Sequence, residues 1–380
     1  TPSWMVRSFH ITSIPLRYSL KVLIFLFKGF YWFLQNFITI NVLLSIMIKI
    51  DGSSGEGGGQ IIRTSLGLSA LTGKSFEIIN IRKNRSNPGL QEQHLQGVKA
   101  VKKLCNANVK GAELYSTKLV FEPNEITKNK LKIKINTAGS VALVLQSLLI
   151  ASLNNDLRIR IEGGGTWNKW APSVLYLKEV FCKLMEKFGY NIKIDILKEG
   201  FYPKGGALVD VVVKKSNLNK IDLVNTGKLN GIKCFSIATT DLIKGKVAER
   251  QATSAKNILG RNIDFRIDSS VNYVDSLSTG SGLLLKAEYE NTVLGYDVVG
   301  EKGKQSEKLG EECGVNMVRH LLAKTCVDNF MLDQILPFLA ISKGEIKFLD
   351  MSEHARTNIE VIKKFLDVDF KVENKIIKVE

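Results

Sequence analysis

Cysteine and histidine are scarce in this 380-residue chain, and their scarcity excludes several chemistries. The five cysteines (Cys105, Cys182, Cys234, Cys313 and Cys326) form no CxxC pair and are odd in number. Neither a disulfide framework nor a zinc knuckle is encoded, and the expected setting is reducing and cytoplasmic. The four histidines (His10, His94, His320 and His354) fit no zinc motif with glutamate. No Ser-His-Asp or Cys-His arrangement can be read from spacing. Acidic residues are also in deficit, 37 Asp+Glu against 53 Lys+Arg, for a net charge of +16. Such a surplus favours a polyanionic partner, whether nucleic acid, nucleotide or anionic membrane surface, and says nothing about the fold. Hydrophobic residues make up 44% of the chain, which excludes wholesale disorder, and the length suits two domains better than one.

Residues 1–46 belong to a different composition class. They contain Arg7, Arg17, Lys21 and Lys28 and no acidic residue, and from Val22 to Met47 the only charge is Lys28. A bilayer-spanning helix needs about 20 mostly apolar residues, so the run is long enough, and basic residues ahead of it suit a cytoplasmic N-terminus. It is too long for a signal peptide and shows no small-residue cleavage site. The favoured reading is a non-native upstream extension, because Met47 immediately precedes the first convincing strand and the chain does not begin with Met. A membrane anchor is the alternative, and only with it would a membrane be a partner. The rest of the chain stays strongly basic without this leader.

Hydrophobic periodicity in residues 47–380 predicts a recurring βαβαββ unit. The first has strands at 47–51 and 76–82, helices near 60–72 and 91–105, and two strands reaching 122. The second has strands at 131–137 and 157–163, helices at 140–153 and 172–189, and strands at 191–199 and 206–213. The third opens with a strand at 218–225, breaks off, and resumes with helices at 328–342 and 354–366 around a strand at 345–351, closed by two strands. The expected fold class is α/β (α+β): three repeated units form a large domain, 47–226 plus 326–380. The interruption, 227–325, reads as a small inserted domain of βαββα type. Each unit covers its sheet only by packing helices on it, so a shared core is expected. Sites should lie at the helix-opening turns.

The strongest local signal is IDGSSGEGGGQIIR at 50–63, where a strand ends, five glycines fall within eight residues, and a helix follows. Such a turn lets backbone N–H groups approach an anion at a helix N-terminus. It has neither the GK[ST] ending of a P-loop nor dinucleotide GxGxxG spacing. Glu56 among the glycines suits a divalent metal beside a phosphate, though the run also reads as a flexible turn with an exposed glutamate. In IRKNRSNPGLQEQHLQGV (81–98), Arg82 and Arg85 bracket a turn, and Gln93 and His94 open the next helix. With Arg63 these guanidiniums can fork onto phosphate oxygens, or simply form a solvated basic face. Gln60, Gln146 and Gln334 occupy matching helices of the three units, the last preceded by Asp333; an amide on an apolar helix needs a partner, which a neighbouring backbone group would also supply. His320 reads as structural. His354 opens the last long helix, where a neutral imidazole can be a nucleophile or a mere cap.

Taken together, these segments resemble the RNA 3'-terminal phosphate cyclases. The resemblance rests on DGSSGEGGGQIIRTSLGLSALTGK (51–74), IRKNRSNPGLQEQHLQGVKA (81–100), NTAGSVALVLQSLL (136–149), GGGTWNKWAPS (163–173), GFYPKGGA (200–207), the VGEKG turn (299–303) and the DQ…H…TN order at the C-terminus. It runs from about residue 47 to 380, and the leader has no counterpart. It implies three βαβαββ units with a small insert. It also implies ATP-dependent conversion of an RNA 3'-phosphate to a 2',3'-cyclic phosphate through a histidyl-AMP and an RNA-(3')pp(5')A intermediate. The implied cofactors are ATP and a divalent metal, Mg2+ or Mn2+, and the implied partner is RNA with a 3'-terminal phosphate. No obligatory protein partner is evident, and a homodimer is compatible with the sequence.

Residue by residue, the resemblance makes His354 the nucleophile and Glu56 the metal ligand. Arg63, Arg82, Arg85 and His94 would grip phosphates, including the RNA end. Gln93, Gln146, Pro172, Asp333 and Gln334 would line the nucleotide pocket. Phe330 stands where some members have a tyrosine against the adenine, and Trp167 where Asp is frequent. Two other readings compete with it. A branch of the family acts in ribosome assembly without cyclase activity and typically lacks the histidine, so His354 argues against it. Enolpyruvyl transferases repeat the same unit but act on small anions and need neither the insert nor a nucleophilic histidine.

Overall fold

From Lys130 to Ile135 lysine alternates with Leu131, Ile133 and Ile135. In the computed structural model of the protein, which describes residues 47–380, the lysines face water and the three apolar residues are buried. That period of two is what a sheet with one covered face requires. The hydrophobic leader and its two readings lie outside the described residues.

The same strand order appears three times. The first unit comprises β1 (Ile48–Asp51), α1 (Gly59–Thr72), β2 (Phe76–Ile79), α2 (Glu92–Cys105), β3 (Asn108–Lys110) and β4 (Leu119–Glu122), with sheet order β1-β2-β4-β3. The second comprises β5 (Lys130–Ser140), α3 (Val141–Ala151), β6 (Leu157–Gly165), α4 (174–187, with a wider π turn at Leu177–Phe181), β7 (Ile192–Lys198) and β8 (Leu208–Val213), in order β5-β6-β8-β7.

Strand β9 (Ile221–Leu223) opens the third unit. The chain then leaves it for β10 (Leu229–Thr239), α5 (Val247–Asn262), β11 (Ile267–Val274), β12 (Ser281–Tyr289), β13 (Val293–Val299) and α6 (Ser306–Ala323). It returns as α7 (Asn329–Ser342), β14 (Gly344–Lys347), α8 (Glu353–Phe365), β15 (Phe370–Glu373) and β16 (Ile376–Val379), completing the order β9-β14-β16-β15. In all three units the first two strands pair in parallel and the other pairs are antiparallel.

The inserted stretch has its own sheet, β11-β10-β12-β13. Residues 283–300 fold as a hairpin, so the stretch runs β-α-β-β-β-α, one strand richer than the βαββα pattern read from the sequence. Apolar residues continue on both sides of the polar Glu290–Asn291 pair, and Tyr289 N–H donates to the Thr292 carbonyl at 2.8 Å to close the turn.

One hydrophobic cluster draws buried residues from all three units, among them Phe76, Leu145 and Leu336. A second cluster lies within the insert, built from residues such as Cys234, Leu285 and Met317. Helix α3 is apolar at almost every position and buried on all sides except at Gln146. A helix hydrophobic all round belongs in a core, which leaves its one amide as the exception to explain. No helix among the described residues is long and apolar enough to cross a membrane.

Candidate active site

Gln60 on α1, Gln146 on α3 and Gln334 on α7 all face one cavity of about 250 Å³, which Arg63, Pro172, Phe330, Asp333 and His354 also line. Equivalent helices of three units therefore converge on one place. Gln146 has its partner there: Arg63 Nε donates to its Oε1 at 2.9 Å. Burial lowers the Arg63 guanidinium to about 10, opposed by the charge of Asp333, so the group remains a cation at neutral pH.

His354 is placed by the cap of α8. Ser352 has extended backbone, and its hydroxyl accepts from Ala355 N–H at 2.9 Å, an N-cap bond that starts the helix two residues before the imidazole. The same hydroxyl donates to Asp333 Oδ1 at 2.8 Å. Asn358 Nδ2, one turn further on, donates to the Asp333 carbonyl at 2.9 Å, and Thr64 on α1 donates to Asn358 Oδ1 at 2.5 Å. Helices α1, α7 and α8 are thus tied together beneath the imidazole. Burial raises the Asp333 carboxyl, while His354 and Arg63 act to lower it.

The glycine turn delivers a carboxylate to that ring. Gly55 is left-handed (φ 56°), and a Cβ there would collide with Thr357 of α8, so only glycine lets the turn rest on the helix. Glu56 then reaches His354: its Oε2 lies 2.9 Å from Nδ1 and 2.8 Å from Arg85 Nη2. With the Nδ1 proton directed at the carboxylate, the Nε2 lone pair of a neutral His354 is free. Both side chains remain more than a third exposed, as an attacking group must be.

Positive charge gathers behind Arg63, beside the cavity and outside its lining. Burial and the charge of Arg85 both lower Arg82, whose Nε donates to the Asn87 carbonyl at 3.3 Å. His94 is buried, and burial together with Arg63 and Arg82 pushes its pKa down to about 3, so the ring is neutral. Its Nδ1 accepts from Gln91 N–H at 3.1 Å, which leaves the proton on Nε2. That Nε2 and Arg85 Nε are both buried and have no hydrogen-bond partner among the described residues. Buried donors of this kind cost about 1–3 kcal/mol when unmet, so two of them beside mutually repelling cations describe a place for an anion. The first turn of α1 adds free backbone donors, since Gly58 supplies no side-chain cap.

At the far end of the cavity Phe330 and Pro172 form apolar walls. Tyr176 meets the Phe330 ring edge-on at 5.6 Å, and Tyr296 of β13 lies 5.5 Å from it. Gln334 Nε2 donates to the Phe330 carbonyl at 2.9 Å, while its Oε1 is a buried acceptor unmatched among the described residues. An apolar slot with one unfilled acceptor fits a flat heterocycle carrying an amino group. A cation (Arg63), an imidazole (His354) and an apolar slot (Pro172, Phe330) lining one cavity are the groups a nucleoside phosphate requires.

Among the described residues, no group of three or more His, Cys, Asp or Glu could hold a metal ion. Glu56 is a single hard oxygen donor at the anion end, which suits a divalent ion held jointly with phosphate oxygens, the usual arrangement for Mg2+.

Of the expected site residues, Glu56, Arg82, Arg85 and His94 stand beside the cavity without lining it, and Gln93 neither lines it nor joins that group. It sits exposed on the first turn of α2, because one helical residue rotates about 100° and His94 takes the inward position. Several lining or supporting residues have no role in the sequence reading, although Thr64, Trp170 and Asn358 lie within its motifs: Thr64, Trp170, Ser352 and Asn358. Asn358 closes the TN pair of the C-terminal motif, and its role emerges only from its partners on α1 and α7.

A family model described as RNA 3'-terminal phosphate cyclase matches residues 54–372 of the chain. A protein of Saccharolobus islandicus named RNA 3'-terminal phosphate cyclase is 43% identical over 331 residues, covering 87% of this chain and 97% of its own. Proteins of the same name from Sulfurisphaera tokodaii and Pyrococcus abyssi are each 42% identical, over 328 and 333 residues, covering 96% of their own lengths.

Proposed function

The chain belongs to the RNA 3'-terminal phosphate cyclase family, and from that premise we propose that it converts an RNA 3'-terminal phosphate to a 2',3'-cyclic phosphodiester at the expense of ATP. The observation that carries the reading is the contact between Glu56 Oε2 and His354 Nδ1, which frees Nε2 for attack.

In the first step Nε2 of His354 attacks the α-phosphorus of ATP. An N–P bond forms, the bond to pyrophosphate breaks, and the Glu56 carboxylate balances the charge that develops on the ring. Phe330, Pro172 and Gln334 hold the adenine. Arg63, Arg82, Arg85 and His94 bind the phosphates, where nucleotidyl transfer chiefly needs positioning and charge neutralisation. When bound at Glu56, a divalent ion supplies further charge neutralisation on the leaving pyrophosphate.

In the second step an oxygen of the RNA 3'-phosphate displaces His354 and takes up AMP, giving RNA-(3')pp(5')A. In the third the neighbouring 2'-OH attacks the activated 3'-phosphorus, loses its proton and expels AMP. Nucleophile and phosphorus belong to the same ribose, so the ring closure has a large intramolecular advantage.

The test is self-labelling. Incubation with α-labelled ATP and Mg2+ or Mn2+ is expected to attach label through an acid-labile, base-stable bond, and His354→Ala and His354→Asn are expected to abolish it. Labelling of either variant at the parental level would overturn the mechanism. The same experiment separates an enzyme from a catalytically silent assembly factor.

A further inference from the structure

Three sequence segments of which the reaction uses only Pro172, namely 163–173, 200–207 and 299–303, meet along a cleft of about 1310 Å³ between the second unit and the inserted sheet. The floor of this cleft is close-packed. The Trp167 ring lies against Gly282 and the Phe201 ring against Gly280, so closely that neither glycine has room for a side chain. The rim is different. Lys169, Lys204, Lys302 and Lys304 line it, with Glu301 as the one acid among the lining residues, and the rings of Trp170 and Tyr202 stand 90% and 77% exposed. Glu301 is already paired with Lys169 at 2.7 Å, and Lys304 with Glu312, so Lys204 and Lys302 have no acidic partner among the described residues.

We propose that this cleft holds the RNA nucleotides that precede the terminal phosphate, a proposal that rests on the function given above. Exposed rings spaced among uncompensated ammonium groups suit a single strand: bases stack on the aromatics and phosphates meet the lysines, with no need to read sequence. The strongly basic chain favours a polyanion over a protein as occupant. Continuity points the same way. Trp170 lines both the cleft and the reaction cavity, so the two spaces adjoin at that residue. That ring projects from a left-handed residue (φ 61°), a conformation bulky side chains rarely hold and one that gathers at functional sites, and the Lys169 ammonium lies 4.9 Å over it. The aromatic-on-glycine floor keeps the cleft open in advance, which limits the entropy lost on binding.

The experiment compares two 3'-phosphorylated RNAs with the same 3' end, a dinucleotide and a dodecanucleotide. In the parent the dodecanucleotide is expected to show the lower KM, by about tenfold or more. Tyr202→Ala and Lys204→Gln, neither of which lines the reaction cavity, are expected to raise KM for the dodecanucleotide about tenfold and leave the dinucleotide unchanged. For Lys204→Gln the slope of log affinity on log salt should also flatten by about 0.7. Equal parental KM values for the two lengths, or variants within twofold of the parent on the dodecanucleotide, would overturn the proposal and hand the cleft to another occupant, such as a protein. Binding of labelled dodecanucleotide by anisotropy needs no turnover. Tight binding that Tyr202→Ala weakens, in a parent that makes no cyclic ends, would support the cleft while sinking the proposed reaction.

Discussion

The backbone N–H of Ser173 donates to Asp297 Oδ2 across 2.6 Å, joining the inserted sheet to the residue that follows Pro172. Asp297 is buried, and a second buried carboxylate, Asp328, reinforces the joint by accepting from Gly295 N–H at 2.9 Å, Tyr176 Oη at 2.7 Å and Met331 N–H at 2.8 Å. The insert therefore fixes both walls of the apolar slot, Pro172 through Ser173 and Phe330 through the start of α7. Burial raises both carboxyls, Asp297 to about 6.

The pH dependence of that joint has a definite sign. A carboxyl with a raised native pKa holds its proton more tightly when folded, so its contribution to stability is fully present below the unfolded pKa of about 4 and is lost as pH rises through 6. Asp297→Asn keeps an oxygen to accept the Ser173 N–H and removes the buried charge. Its melting temperature relative to the parent should therefore be higher at pH 8 than at pH 4, where the difference should vanish. The difference at pH 8 amounts to about 3 kcal/mol at most. An offset independent of pH would show that Asp297 is not the titrating group.

Arg63 and Gln146 make a second test. Gln146→Leu removes the acceptor of a buried guanidinium, which should lower the urea midpoint by an amount equivalent to about 1–3 kcal/mol. Gln146→Glu, which restores an acceptor and adds a countercharge, should recover most of it. If Leu and Glu behave alike, the 2.9 Å bond is not what holds Arg63 in place.

Arg85 touches Glu56 with one nitrogen and leaves another buried and unmet. Its proposed partner is the RNA phosphate, so Arg85→Ala should weaken use of 3'-phosphorylated RNA by about tenfold or more while self-labelling by ATP falls less. Equal losses in the two assays would remove that role and make Arg85 a support for Glu56.

Much of this arrangement could be read in the sequence because it depends on local pattern. The lysine–isoleucine alternation of β5, the apolar α3 with its lone Gln146, and the glycines around Glu56 each imply their own geometry. What escaped depends on contacts between distant residues. The polar pair that turns β12 into β13 is only two residues long within a continuous apolar stretch. Asp297 and Ser173 are far apart in the chain, and nothing near Asp297 marks it as buried beside the slot. Gln93 and His94 are adjacent, and only the rotation of α2 decides which faces inward. Trp170 lies in the 163–173 motif without a legible role, because an exposed tryptophan in a polar loop has no periodicity.

His94 supplies the opposite pH dependence to Asp297. Its native pKa, pushed down to about 3 by burial and by Arg63 and Arg82, lies below the ordinary histidine value. The unfolded chain therefore takes up a proton that the folded one refuses. Stability is fully present above about 6.5 and falls as the solution is acidified toward 3. Between pH 7.5 and pH 5 the loss from this residue is about 2 kcal/mol. His94→Gln removes the titration but keeps a neutral side-chain donor, so it should lose less melting temperature than the parent on going from pH 7.5 to pH 5. Because the ring acts as an uncharged donor through Nε2, the same variant should retain much of the cyclase activity. His94→Ala, which has no donor, should lose about a hundredfold, in line with a missing hydrogen bond to charged oxygen. A parent and a His94→Gln variant with superimposable stability profiles over that range would mean that the folded protein takes up the ring proton as readily as the unfolded chain. In acid His94 would then join the three arginines as a further cation in the phosphate site.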